Sequence, residues 1–213
     1  MKNLRGMTKG RCGMKGWRWL HVVFMLSFLH SFIFITSCSE SEGDEEEFAN
    51  WQVRNEAATA QWAANSAYRK IITYSKNAGV TGNAGDYIYV EVLETGSGTE
   101  SPLFTDTCRV AYRACLIPSS SYADGYVFDQ SYKGEFNWQT VSTKDGASWI
   151  DGFATALMNM HVGDRWRVHI PYELAYGSSS STSYPSYSNM IFDVALVDFW
   201  HPGDSRPAFK ARK

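Results

Sequence analysis

The sequence predicts an α+β protein in which an antiparallel sheet wraps around one short helix, with a helical extension ahead of it. Three observations carry that reading. Apolar and polar residues alternate with period two in several stretches between 86 and 200. The stretch 152–162 changes period, with Phe153, Ala156, Leu157 and Met160 on one helical face. A sheet that buries one face must lay it on something, and this helix is the partner available inside the domain.

Taken in order, "EEEFANWQVRNEAATAQWAANSAYRKIITYS" (45–75) lacks Gly and Pro, and Phe48, Trp51, Ala58, Trp62 and Ile72 fall roughly along one face. It reads as a helix or two closed by "KNAG". Its tryptophans favour packing on the domain or pairing with a second copy over exposure to water. "DYIYVEVLETGSG" is a half-buried strand with Ile88, Val90 and Val92 on the apolar side. "CRVAYRACLI" turns Val110, Tyr112 and Ala114 inward, and Asp124-Gly125 marks a turn before the return strand "YVFDQS". "EFNWQTV" reads as another strand. After the helix, stopped by Gly163, "RWRVHI" sets Trp166, Val168 and Ile170 opposite Arg165, Arg167 and His169. The last strand carries Met190, Phe192, Val194 and Leu196 on one side. A strand this apolar cannot stand apart, so the serine-rich run at 178–183 is a flap within the domain and not a linker.

The first 37 residues have the character of a signal. "MKGWRW" supplies positive charge, and "LHVVFMLSFLHSFIFI" is too short for a comfortable transmembrane helix. Met14 is the more natural start for a signal of ordinary length. "ITSC" (Ile35 to Cys38) resembles a bacterial lipobox, which implies cleavage before Cys38 and a lipid on its sulfur. The acidic run after it reads as a solvated tether over 38–47. It also resembles the export signal of some Bacteroidetes lipoproteins. The expected placement is therefore a lipid-anchored protein of the outer membrane, periplasmic or surface-exposed. The expected organisation continues with a helical extension over 48–78, a domain over 84–200 and a tail over 201–213.

The formal net charge of −2 argues against nucleic acid as a partner, because phosphate binding needs a basic excess. No Gly-rich phosphate loop, metal-type Cys/His cluster or nucleophile elbow occurs, so neither cofactor nor metal is expected. His161, His169 and His201 are not at ligand spacing and read as surface or hydrogen-bonded histidines. Cys108 and Cys115 lie on opposite sides of one strand and read as free thiols, with Cys108 on the apolar side.

"VFDQS", "WIDGFATALMNMHVGDRWRVHIPYELAYG" and "MIFDVALVDF", in that order, resemble the FKBP-type peptidyl-prolyl isomerases over roughly residues 84–200. The resemblance implies a twisted antiparallel half-barrel around a short helix. It also implies a pocket lined by Tyr112, Phe128, Asp129, Phe136, Ile150, Phe153, Tyr176 and Phe192, with Trp149 and Tyr184 at the rim. Phe153 would be the floor, where the family typically has a tryptophan. Asp129 and Tyr176 are its polar members, and the Tyr176 hydroxyl and Ile150 N–H would hold substrate carbonyls. Trp149 stands where the family has a small aliphatic residue and would narrow the mouth. Tyr184 replaces another aliphatic, and the flap lacks the histidine often found there. The implied partners are proline-containing polypeptides, with macrolide inhibitors as a further ligand class, a membrane reached through Cys38, and a second copy joined through 48–78. The implied activity is rotation about X–Pro bonds during folding of envelope or secreted proteins. The second reading, from a different class, is a non-catalytic peptide- or partner-binding module with chaperone-like holding.

Overall fold

The computed structural model describes residues 47–76, 79–145, 149–206 and 208–209. Cys38, and the signal and lipid readings that go with it, lie outside the described residues. Helix α1 (Trp51–Ala64) leads to β1 (Arg69–Ile72), β2 (Tyr87–Glu94), β3 (Thr107–Leu116), β4 (Val127–Gln130) and β5 (Ser142–Asp145). Helix α2 (Asp151–Leu157), β6 (Arg165–Ile170) and β7 (Met190–Trp200) complete the order. The strands make one antiparallel sheet in the order β1-β2-β6-β7-β3-β4, and β5 pairs with the half of β3 that β4 leaves open.

The alternation read from the sequence is the one that builds the core. Ile88, Val90, Val110, Tyr112, Trp166, Val168, Ile170, Val194 and Leu196 face one side of the sheet and meet Phe153, Ala156, Leu157 and Met160 of the α2 segment. Gly152 makes that contact close, since a Cβ there would run into the Ile170 side chain. Val92, expected inward, is exposed, where a bulge interrupts the pairing of β2 with β6. Helix α2 is also shorter than 152–162, ending at Leu157, although Met160 beyond it stays buried in the following turn.

Two elements differ from expectation. Helix α1 stops at Ala64 instead of running toward 75, because Asn65 turns extended and its side chain accepts the Ala67 N–H. The chain then enters β1, which is rich in β-branched residues and adds an edge strand to β2. "EFNWQTV" is not a strand. Phe136 and Trp138 pack with Tyr132 over Ala111 and Ala195 on the outer side of the sheet, and the chain resumes strand form at Ser142. Helix α1 covers another part of that outer side, burying Trp51 and Trp62 against Tyr89, Leu116 and Ile117. Tyr89 thus belongs to a strand buried on both sides, not a half-buried one.

Candidate functional site

At one end of the inner side, six aromatic rings form an unbroken chain of contacts. Trp149 lies flat on Phe153, with centroids 4.0 Å apart and planes 7° from parallel. Phe153 meets Phe192 at 4.7 Å, and Phe192 meets Phe128 at 6.3 Å edge to face. Phe128 meets Tyr184 at 5.9 Å, and Tyr184 stacks on Tyr176 at 4.7 Å and 12°. Tyr112 closes the back, 6.3 Å from both Phe153 and Phe192. Such offset and edge contacts suit the ring quadrupoles and hold the wall in place without polar groups.

Each ring is put there by a local feature of the chain. On β4, Phe128 and Asp129 are neighbours that would face opposite ways in a regular strand. A bulge opposite Ala114 and Cys115 breaks the ladder there. It lets Phe128 reach Phe192 while Asp129 accepts the Tyr112 hydroxyl proton at 2.7 Å. On the α2 side, Ile150 stays extended as the residue before the helix, its carbonyl taking the N–H groups of Phe153 and Ala154. Among the described residues, its own N–H has no acceptor. Tyr176 follows the short 3-10 turn Tyr172–Leu174 and precedes Gly177, whose φ of 57° favours glycine. The flap returns where the Tyr187 N–H meets the Gly177 carbonyl, with Ser181 and Tyr184 bridged inside it.

The polar groups of the cup are few. Burial pushes the Tyr112 phenol up, and the bond to Asp129 adds to this, so it stays a neutral donor. Burial also raises Tyr176, helped by Tyr184 and Asp129, yet the residue remains 45% exposed. Its hydroxyl has no hydrogen-bond partner among the described residues, which leaves a protonated donor at the mouth. The arrangement can strip water from an apolar segment and offer a small number of donors to carbonyl oxygens. It contains no activated nucleophile.

Of the residues singled out in the sequence, Tyr112, Phe128, Asp129, Trp149, Ile150, Phe153, Tyr176, Tyr184 and Phe192 come together. Phe136 does not. It lies on the outer side of the sheet, edge to face with Tyr132 and Trp138 and with the Arg165 guanidinium 3.9 Å from its ring centre. The irregular path of 131–141 takes it there. Trp149 lies parallel to Phe153, an indole stacked on the ring expected to be the floor. His169 was read as a surface or hydrogen-bonded residue and is neither. It is buried, and both its ring nitrogens lack hydrogen-bond partners. Cys108 and Cys115 are free thiols, as read.

One sheet curled round one helix, with an aromatic cup where its strands end, defines the half-barrel class. Residues 98–197 match the family model for FKBP-type peptidyl-prolyl cis-trans isomerase. The chain is 38% identical over 117 residues to "Macrophage infectivity potentiator" of Trypanosoma cruzi, which covers 54% of this chain and 55% of the relative. It is 36% identical over 138 residues to "FKBP-type peptidyl-prolyl cis-trans isomerase FkpA" of Escherichia coli (strain K12), covering 64% and 45%. The chain thus spans about half the length of these curated relatives. Among solved structures, FkpA from Escherichia coli aligns at TM-score 0.54 and 23% identity, over 90% of this chain and 75% of that one. A peptidyl-prolyl cis-trans isomerase from Pseudomonas syringae pv. tomato str. DC3000 aligns at 0.53 and 22%, over 71% and 95%. At these identities the structural likeness speaks for the fold.

Proposed function

We propose that the cup rotates X–Pro peptide bonds in unfolded or partly folded polypeptides. The observation that carries this reading is an aromatic wall with the Asp129–Tyr112 pair at its back and the half-exposed Tyr176 hydroxyl at its lip. Rotation about a peptide bond costs about 18–20 kcal/mol because it breaks amide resonance, and for X–Pro it is uncatalysed on a scale of roughly tens of seconds. The planar amide is stabilised by charge separation, and an apolar wall of Phe153, Phe192 and Phe128 favours that form less than water does. The Tyr176 hydroxyl and the Ile150 N–H donate to carbonyls flanking the proline. Asp129 holds the Tyr112 ring at the back of the cup. Only contacts better made to the twisted bond than to either planar form lower the barrier. No bond to the substrate forms or breaks.

The test is cis-to-trans conversion of a series of X–Pro peptides by the purified chain, beside Tyr176→Phe and Asp129→Leu. Each change should lower kcat/KM by about tenfold, the order expected for one lost buried hydrogen bond. A wild-type rate equal to buffer across the whole series overturns the isomerase reading. One observation favours a second reading, a binding module without turnover: Tyr184 lies flat on Tyr176, across the mouth. That module would bind the same peptides and leave their isomer ratio relaxing at the buffer rate.

We further propose that Cys38 carries a lipid and that the chain acts on envelope or secreted proteins from an outer-membrane anchor. The motif "ITSC" supports this. A Cys38→Ala variant should be released from membranes, and continued anchorage refutes it. Pairing through 48–78 finds less support, since Trp51 and Trp62 are already buried within the chain.

A further inference from the structure

Both ends of the flap are tied to helix α1 through a buried polar network that the isomerase reading does not use. Asn189, just after the flap, is fully buried. Its Oδ1 accepts the Tyr172 N–H at 2.8 Å, at the start of the turn that carries Tyr176. Its Nδ2 donates to the Asn55 carbonyl at 2.7 Å and to Thr59 Oγ1 at 3.0 Å. Its backbone N–H donates to Asn55 Oδ1 at 2.8 Å. Asn55, in the middle of α1, is fully buried too, and its Nδ2 donates to the Trp51 carbonyl at 2.7 Å. One turn away, Trp51 Nε1 donates to Ser188 Oγ at 2.8 Å, and Ser188 Oγ donates to the Pro185 carbonyl at 2.7 Å, next to Tyr184.

Buried amides must find partners, and each of these bonds the other's backbone, with Tyr172, Thr59 and Trp51 taking the remaining groups. Asparagine is a poor choice inside a helix on propensity alone, and an apolar residue there would leave the buried Asn189 N–H without its acceptor. What Asn55 adds is register. It holds Asn189 in place against α1, and Asn189 in turn holds the Tyr172 turn, so the way Tyr184 meets Tyr176 depends on it.

We propose that Asn55 is a positioning residue for the cup, which through Asn189 sets how far Tyr184 stands from Tyr176 and hence the size of the residue before proline that the mouth admits. The proposal rests on the peptide-binding reading of the cup. With the lock broken, the flap moves away from Tyr176, and peptides with a bulky residue before proline gain on those with a small one.

The experiment uses the full chain with Asn55→Leu and, as the second change, Trp51→Phe, which keeps an aromatic ring while removing the N–H given to Ser188 and part of the indole's bulk. Alanyl-prolyl and phenylalanyl-prolyl peptides are compared in kcat, KM and equilibrium affinity, with amide exchange followed at Asn189. Asn55→Leu should raise the Phe-to-Ala preference by about tenfold, the order for a lost buried partner, and speed Asn189 exchange. Trp51→Phe should shift both in the same direction by less. A general loss of packing would lower stability without changing the preference. If Asn55→Leu does not fold, Trp51→Phe alone decides. If the wild type binds both peptides without accelerating rotation, the isomerase reading falls, and the preference is read from affinities alone. Folded variants with wild-type preference overturn the positioning role, and failure of the wild type to bind either peptide overturns both readings.

Discussion

The two sides of the sheet each hold a cluster of aromatic rings, and only one of them has the character of a site. On the inner side, Trp149, Phe153, Phe192, Phe128, Tyr184 and Tyr176 run from a buried floor to a half-exposed lip, backed by the hydrogen-bonded Tyr112 and Asp129. On the outer side, Trp62, Tyr68, Tyr89 and His169 are as aromatic but are covered by α1 and β1. The His169 ring lies 5.0 Å from Trp62 and 4.8 Å from Tyr68, with no hydrogen-bond partner for either nitrogen. Aromatic content alone therefore does not make a pocket. What separates the two is which side a helix covers along its whole length and which side it leaves open at one end.

The comparison can be broken first at the floor. Phe153→Ala should cost about 3–5 kcal/mol in denaturant unfolding, as for other large-to-small changes at fully buried aromatics, and should remove the surface on which Trp149 lies. A loss below about 1 kcal/mol would mean the floor is not packed as described.

The outer cluster is sharpened by pH. Burial holds His169 down to about 4, with Arg167 adding to the effect, so it is neutral in the folded protein. Tyr68, Trp62 and Tyr89 bring no compensating charge, and Lys70 over Tyr89 adds a cation. Because the folded-state value lies below the ordinary one near 6.5, the stability tied to the neutral ring is complete above that pH and is lost as pH falls toward 4. About 3 kcal/mol should disappear across that window, and His169→Phe should flatten that part of the profile. A wild-type stability that is level from pH 7 to 4 contradicts this account.

A smaller effect tests how closely α2 sits on the sheet. Gly152→Ala drives a Cβ into Ile170 and should cost about 1–3 kcal/mol, read as a lowered melting temperature. The smallest change concerns the lip. Tyr184→Ala removes one stacked pair and should cost about 0.5–1.5 kcal/mol, while opening the mouth to larger peptides in the rotation assay. Unchanged peptide preference in that variant would mean the flap does not limit access.

Most of the inner side was legible in the sequence because it depends on periodicity. Ile88 and Val90, Val110 and Tyr112, Val168 and Ile170, and Phe153 with Ala156 and Leu157 repeat at spacings that only strands or a helix can satisfy, and the structure joins them as read. The family resemblance put Asp129 and Tyr112 in one pocket, but their hydrogen bond came only from the structure, since nothing in the spacing says that two residues 17 apart will touch. Phe136 was misread because its aromatic character suits either side of a sheet. The bend of 131–141 sends it outward over Ala111 and Ala195 and against Arg165, residues distant in the chain that no local pattern points to.

By itself the sequence determined the long strands β2, β3, β6 and β7, most of their inward-facing residues and the helix they enclose, because alternation and helical spacing are local consequences of backbone geometry. The tertiary structure alone decided where α1 ends and what it covers, that Trp149 lies on Phe153, that His169 is sealed from water, and that Asn55 meets Asn189. What α1 covers, the sealing of His169 and the Asn55–Asn189 contact bring together residues distant in the chain, and such meetings follow from how the elements pack and not from the pattern within any one of them.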